Sequence, residues 1–214
     1  TMDGHRDLPQ ITTGHATTAA AVILNMERIL AESERVLERE HVGFVGLGSV
    51  GRASLQLMLR TLPHPRAITL CDVFDKIGEL KQLRRKMIDD FHYQGKIHIA
   101  VAHQVVPNAV YKSSFIVGAT SVPNVLDVAQ LQPGTLVVDD SAPHCFNPTH
   151  AIARLESQHD ILFTEGGIIR FPQPPRRITA YVQPMLERVL DLPQEVDAGA
   201  WDTQSLASCM LSGL

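Results

Sequence analysis

Cysteine is scarce in this chain. Cys71, Cys145 and Cys209 are its only 3, too few and too scattered for a disulfide framework or a C-x-x-C metal site, and a reducing cytoplasm fits them best. Strong charge of either sign is missing as well. A net charge of −4 and a pI near 6.2 give no electrostatic reason to expect nucleic acid or an anionic membrane as partner. No apolar run approaches the ~20 residues of a membrane-spanning helix, and Thr1-Met2-Asp3-Gly4-His5 lacks the charged-then-apolar layout of a signal peptide. The 10 histidines are dispersed, with no H-x-x-x-H or H-E-x-x-H spacing, so no metal site is expected. Internal repeats and low-complexity segments are absent too. What is left is a chain of 214 residues, 44% hydrophobic and 20% charged, able to bury an ordinary globular core.

The most informative stretch present is His41–Arg52. An apolar run, Val42 to Val45, leads into Gly46-Leu47-Gly48-Ser49-Val50-Gly51, and a periodic apolar pattern follows through Leu55, Met58, Leu59 and Leu62. That order is strand, tight turn, helix. In a dinucleotide-binding site Gly46 would turn the chain, Gly48 would let the backbone approach a pyrophosphate, and Gly51 would let the helix pack close to the strand. The N–H groups at the start of the helix would then hold the phosphates. The alternative is a glycine-rich turn with no ligand.

Residues 1–15 read as a polar lead-in, and 16–214 as one domain. From Thr17 apolar positions recur at helical spacing through Val22, Met26, Ile29 and Leu30 to Val36 and Leu37, and the charge run Glu34 to Glu40 is expected on the solvated face. Five more strands are predicted after the first: Ala67–Cys71, Ile97–Val101 (buried on both faces), Phe115–Ala119, Thr135–Asp139 and Ile161–Thr164. Helices are expected over Asp75–Asp90, Val125–Leu131 and Thr149–Ser157, then over Ile178–Leu190 and from Asp202 through Ser205, Leu206, Cys209 and Met210. Alternating strands and helices specify an α/β fold: a doubly wound, mostly parallel sheet of Rossmann type, helices on both faces, and N- and C-terminal helices packed on it.

Ligands of such sheets bind beyond the carboxyl ends of the strands. Asp72 ends the second strand about 20 residues past Gly51, where an acid accepts hydrogen bonds from the adenosine ribose; the alternative is a cap for the next helix. The ribose reading favours NAD over NADP, with Lys76 and Arg84-Arg85-Lys86 as counterweights. Thr120, Ser121 and Val122 follow the fourth strand, where the nicotinamide half would lie, unless they form an ordinary turn. Asp139 and Asp140 point to opposite faces of an extended chain and make a poor paired-carboxylate site. His144-Cys145 offers a nucleophile and base with no third group to orient them, against a loop thiol and a surface histidine. Gly166 and Gly167 permit close backbone approach to the nicotinamide end or to a neighbouring loop.

Several of these stretches together resemble the long-chain acyl-[acyl carrier protein] reductases of cyanobacteria. The matching features are Thr12-Thr13-Gly14-His15 with Thr17-Thr18-Ala19, the glycine turn, Val137-Val138-Asp139 with Pro143, and Glu165-Gly166-Gly167-Ile168-Ile169. A broader likeness to shikimate-dehydrogenase-like NAD(P)-binding domains covers the same fold with fewer of these marks. The closer resemblance implies reduction of a small-molecule or carrier-bound acyl thioester to aldehyde by NADH or NADPH, with a cysteine near the chain end carrying the acyl group. That position aligns with Ser205, and Cys209 follows one helical turn later, so both are candidate catalytic residues. The family also has a basic residue after the second strand where this chain has Asp72, and a substrate-binding region ahead of Thr12 that this chain lacks. The expectation is therefore a nicotinamide-dependent oxidoreductase domain acting at a carbonyl-level carbon, as a homo-oligomer or with a separate substrate domain. The alternatives are a non-catalytic nucleotide-binding module and an alcohol or ketone oxidoreductase of shikimate-dehydrogenase type.

Overall fold

A computed structural model describes residues 14–74, 76–102, 105–173 and 204–211. The polar lead-in through Thr13, the Ile178–Leu190 helix and the Asp202 cap lie outside these residues. Six parallel strands form the sheet: β1 (His41–Val45), β2 (Ala67–Asp72), β3 (Lys96–Val101), β4 (Phe115–Gly118), β5 (Thr135–Asp139) and β6 (Ile161–Glu165). Their order is β3-β2-β1-β4-β5-β6. The chain thus reverses its direction of winding between β1 and β4, where Val42 to Val45 pair in register with Phe115 to Gly118. β1, β2, β4 and β5 are buried along nearly their whole length, as near-continuous Val/Ile/Leu/Phe runs require when both faces of a parallel sheet are covered.

On one face lie α1 (His15–Glu32), α2 (Ser49–Thr61) and α3 (Ile77–Asp89). Their apolar sides, among them Val22, Met26, Leu55, Met58, Leu80 and Met87, enclose one core with Phe44 and Phe115. The other face is covered by the crossover through Val110 and Tyr111, by the 122–131 segment and by α4 (Pro148–Gln158). The Asn147 side chain accepts from the His150 N–H and Pro148 occupies the first turn, which together fix where α4 starts.

Five local expectations are corrected. The first helix stops at Glu32, where the Ser33 hydroxyl donates back to the Ile29 carbonyl and Glu34 takes a left-handed conformation. Glu40 is not on a solvated face: it is buried, ion-paired with Arg35, and accepts from the Ser114 hydroxyl at 2.5 Å. β3 is an edge strand with Lys96 and His98 exposed rather than buried on both faces. Val125–Leu131 closes only a single 3-10 turn, Val128–Gln130, because the Asp127 carboxylate takes the Ala129 N–H and the Gln130 amide. At the chain end Ser205–Ala207 is a strand, β8, antiparallel to β7 (Ile168–Arg170), followed by a 3-10 turn at Ser208–Leu211 rather than an α-helix. The exposed backbone of β7 pairs with it, and the Ser208 N–H continues the contact to the Gly167 carbonyl at 2.8 Å.

Candidate functional site

The glycine turn sits at the carboxyl end of β1, beside the end of β4. Gly46 has φ +89°, which favours glycine, and a side chain there would also collide with the Ala119 carbonyl. Gly51 lies so close under the Gly46 carbonyl oxygen that any Cβ would overlap it. Gly48 is the opposite case: nothing lies within 4 Å of where its Cβ would be. It is also the N-cap of α2, with no side chain capping the helix and no acid in its first turn. Among the described residues Ser49 and Val50 complete an open cradle of backbone amides at a positive helix end, the environment that an anionic pyrophosphate needs, while the Leu47 N–H is held by Asp72.

Asp72 is 2% exposed and caps no helix, since α3 begins after Lys76. Its Oδ2 accepts from the Leu47 N–H at 3.0 Å and its Oδ1 from the Phe74 N–H at 3.0 Å. Lys76 Nζ stands 3.7 Å from Oδ2. The carboxylate therefore fastens the end of β2 to the glycine turn. Arg52, facing the same turn, donates to the Leu47 carbonyl at 2.7 Å and is ion-paired with Glu79.

Beyond β4 the Thr120 N–H donates to the Ser141 hydroxyl at 3.0 Å, and the Val122 N–H donates to the Thr120 hydroxyl at 3.1 Å. Thr120 is buried, whereas Ser121 is exposed. The Ser141 N–H in turn donates to Asp139 Oδ1 at 3.1 Å. Asp139, 1% exposed, also accepts from the Cys145 N–H at 3.1 Å and faces His144 Nδ1 at 3.0 Å, both through Oδ2. His144 Nε2 is 3.1 Å from Glu165 Oε1. A hydrogen-bonded chain thus runs from Thr120 through Ser141 and Asp139 to His144, and an ion-pair contact carries it on to Glu165, across the ends of β4, β5 and β6. Cys145 is fully buried, and burial, reinforced by Asp139, holds its thiol well above the ordinary cysteine range, so the nucleophile–base reading of His144-Cys145 falls. The orienting group absent from the sequence reading is Asp139, which serves His144 instead.

Asp140 points the other way. Its carboxyl lies against Gly167, and its backbone N–H fits under Gly166, leaving no room for a Cβ at either glycine. Burial, then the Asp139 and Glu165 charges, push it up to about 7. Burial also raises Glu165, while His144 pulls it down. Asn25 of α1 donates to the Gly166 and Ile168 carbonyls at 3.0 and 3.2 Å, so α1 clamps this turn. Cys209 is exposed and packs against Gly14 at the start of α1, where a Cβ on Gly14 would fall 2.7 Å from that of Cys209. His15, next in sequence, reaches Ser49 of the glycine turn at 3.3 Å. The chain end is thereby brought to the cradle, while Ser205 sits apart on β8 opposite Arg170. Among the described residues no group of His, Cys, Asp and Glu is arranged to hold a metal ion, and no helix is long and apolar enough to cross a membrane.

No protein-family model and no curated protein sequence matches the chain. Solved structures do. The A chain of dipicolinate synthase from Bacillus subtilis superposes with a TM-score of 0.51 at 12% identity, over 72% of this chain and 47% of that one. L-tryptophan dehydrogenase from Nostoc punctiforme gives 0.48 at 14% identity, over 72% and 43%. Shikimate 5-dehydrogenase from Listeria monocytogenes, solved with shikimate and NAD, gives 0.47 at 14%, over 70% and 52%. The chain spans about half the length of each. By strand order and the likeness to the A chain of dipicolinate synthase, the described chain is a Rossmann-type α/β domain.

Proposed function

We propose that the chain is the cofactor-binding domain of a nicotinamide-dependent oxidoreductase acting at a carbonyl-level carbon, with an acyl thioester or aldehyde as substrate. The observation that carries this reading is the uncapped, open cradle at Gly46-Leu47-Gly48-Ser49-Val50-Gly51, placed where the winding of the sheet reverses. Gly46 and Gly51 shape the turn, and the space over Gly48 admits a pyrophosphate. Asp72, already aimed at the turn, has lone pairs left for the adenosine ribose hydroxyls and favours NAD; Lys76 beside it is the group that a 2′-phosphate would meet. Thr120, Ser121 and Val122 line the end of β4 for the nicotinamide half. Gly166 and Gly167 hold Asp140 at the neighbouring sheet end. When bound, the cofactor would supply or accept a hydride.

The acyl-thioester reading assigns Cys209 as the nucleophile, with Ser205 the weaker candidate because it lies on β8. Cys209 is exposed, close to the start of α1 and to the helix that reaches Ser49, which suits a group that must meet both a bulky acyl donor and the cofactor site. A substrate domain on another chain, or a second copy of this one, would complete such a site. Turnover of acyl-CoA and aldehyde by wild type and Cys209→Ala tests this. Loss of acyl-CoA reduction in the variant with nucleotide binding intact supports it, and full activity removes the thiol from the mechanism. Nucleotide binding without turnover of either substrate would favour a non-catalytic binding module.

A further inference from the structure

A cavity lies on the opposite face from α1, between α4 and β6. It holds about 310 Å³ and is walled by Phe146, Pro148, Ile152 and Phe163, with His144 and Glu165 at its polar end. Phe146 stacks on the His144 ring with centroids 5.6 Å apart and meets Phe163 edge-on at 5.7 Å, so the aromatic wall is packed rather than loose. At ~30 Å³ for a water-sized group, the volume suits roughly ten non-hydrogen atoms.

The polar end has a definite chemistry. Asp139 is buried and takes two backbone N–H groups besides His144 Nδ1, so it cannot turn away. It holds the imidazole with Nδ1 as donor. Nε2 faces Glu165 Oε1 at 3.1 Å in an ion-pair contact, and Glu165 is the exposed member of that pair, with its side chain 53% exposed. A ligand oxygen entering the cavity can replace Glu165 opposite Nε2. With both ring nitrogens of His144 as donors, Asp139 balances the charge of the ring and Glu165 leaves this end net negative, which disfavours an anionic head group, since opposing like charges in a partly dry site cost more than in water. The hydrogen-bonded chain from His144 through Asp139 and Ser141 ends on Thr120, at the place assigned to the nicotinamide half.

We propose that this cavity seats the compact apolar body of a neutral carbonyl compound, with His144 Nε2–H hydrogen-bonded to its carbonyl oxygen. The carbonyl class rests on the oxidoreductase reading above; the cavity and its preference for a neutral, apolar ligand do not. His144 is the hydrogen-bond donor of this site, Asp139 its positioning residue, and Glu165 the carboxylate that the ligand oxygen displaces.

Calorimetric titration of the full chain with methyl hexyl ketone, a probe of nine non-hydrogen atoms, tests the assignment. Wild type should bind it. Ile152→Trp, made at a position 47% exposed and so compatible with folding, should fill the cavity and weaken the ketone by about tenfold or more while leaving NADH affinity within about twofold. Independently of any variant, the ketone should shift the ring-nitrogen resonances of His144. No binding, equal binding by Ile152→Trp, an unmoved His144 ring, or octanoate binding as tightly as the ketone would each overturn the proposal. Ketone binding in a chain that binds neither NADH nor NADPH would support the cavity and remove the oxidoreductase reading.

Discussion

Asp72 Oδ2 accepts the backbone N–H of Leu47 at 3.0 Å, so the acid that ends β2 holds the glycine turn at the end of β1. One carboxylate then serves both the shape of the cradle and, in the proposed complex, the ribose. Asp72→Ala should accordingly do two things. It leaves the Leu47 and Phe74 N–H groups without their acceptor, at about 1–3 kcal/mol of stability. It should also weaken NADH more than NADPH; an unchanged ratio of the two affinities in fluorescence titrations would contradict the ribose assignment.

Gly48 and Gly51 separate binding from folding. Gly51→Ala forces a Cβ onto the Gly46 carbonyl and should lower stability by about 1–3 kcal/mol or abolish folding. Gly48→Ala meets nothing, so its unfolding free energy should stay within about 0.5 kcal/mol of wild type. Its nucleotide affinity should nevertheless fall by about tenfold or more, because the methyl group occupies the space of the pyrophosphate. Equal nucleotide affinity in Gly48→Ala would show that the cradle is not where phosphate sits.

Asp140 predicts a pH signature. Its folded value of about 7 lies above its ordinary 3.8, so the folded chain holds a proton that the unfolded chain has lost. The stabilisation is complete below the unfolded value and lost as pH rises through about 7. Asp140→Asn, neutral throughout, should therefore match wild type near pH 4 and exceed it by about 1–2 kcal/mol at pH 8.5, allowing for solvent screening of a half-buried carboxyl. Denaturant melts at the two pH values measure this, and a gain independent of pH would refute it.

The cysteines divide sharply in accessibility. Cys71 is fully buried, and burial with Asp72 beside it pushes its thiol up to about 12; Cys145 is buried and its thiol is raised by burial too, whereas Cys209 is exposed. Iodoacetamide should label the native chain once, at Cys209, and modify the other two only after unfolding. Labelling of Cys145 in the folded chain would contradict the packing beneath Asp139.

The sequence revealed most of what depends on local pattern. The buried runs of β1, β2, β4 and β5 and the glycine turn are readable because a central parallel strand must be apolar on both sides and because Gly46 and Gly51 each have their own steric reason at that spacing. The candidate residues past the strand ends converge because the strand order puts those ends along one edge. Features that depend on distant partners were not readable. Glu40 looks like surface charge until Ser114, 74 residues on, comes to it. His144 looks like a loop histidine until β5 and β6 bring Asp139 and Glu165 to its two nitrogens. Leu206 and Met210 fit a helical period, but the unpaired edge of β7 offers Leu206 a strand partner, Ile169, and that pairing prevails. Ser141 carried no signal of its own: its role appears only once it joins Thr120 to Asp139.

The central claim is that the cradle at Gly46–Gly51 holds a dinucleotide. Titration of the wild-type chain with NADH and NADPH, followed by the fluorescence of the reduced nicotinamide and by backbone amide shifts of residues 46–51, tests it most directly. Saturable binding is expected, tighter for NADH, with the largest shifts at Leu47, Gly48 and Ser49. Failure of both nucleotides to bind, or binding that leaves those amides unmoved, would contradict it.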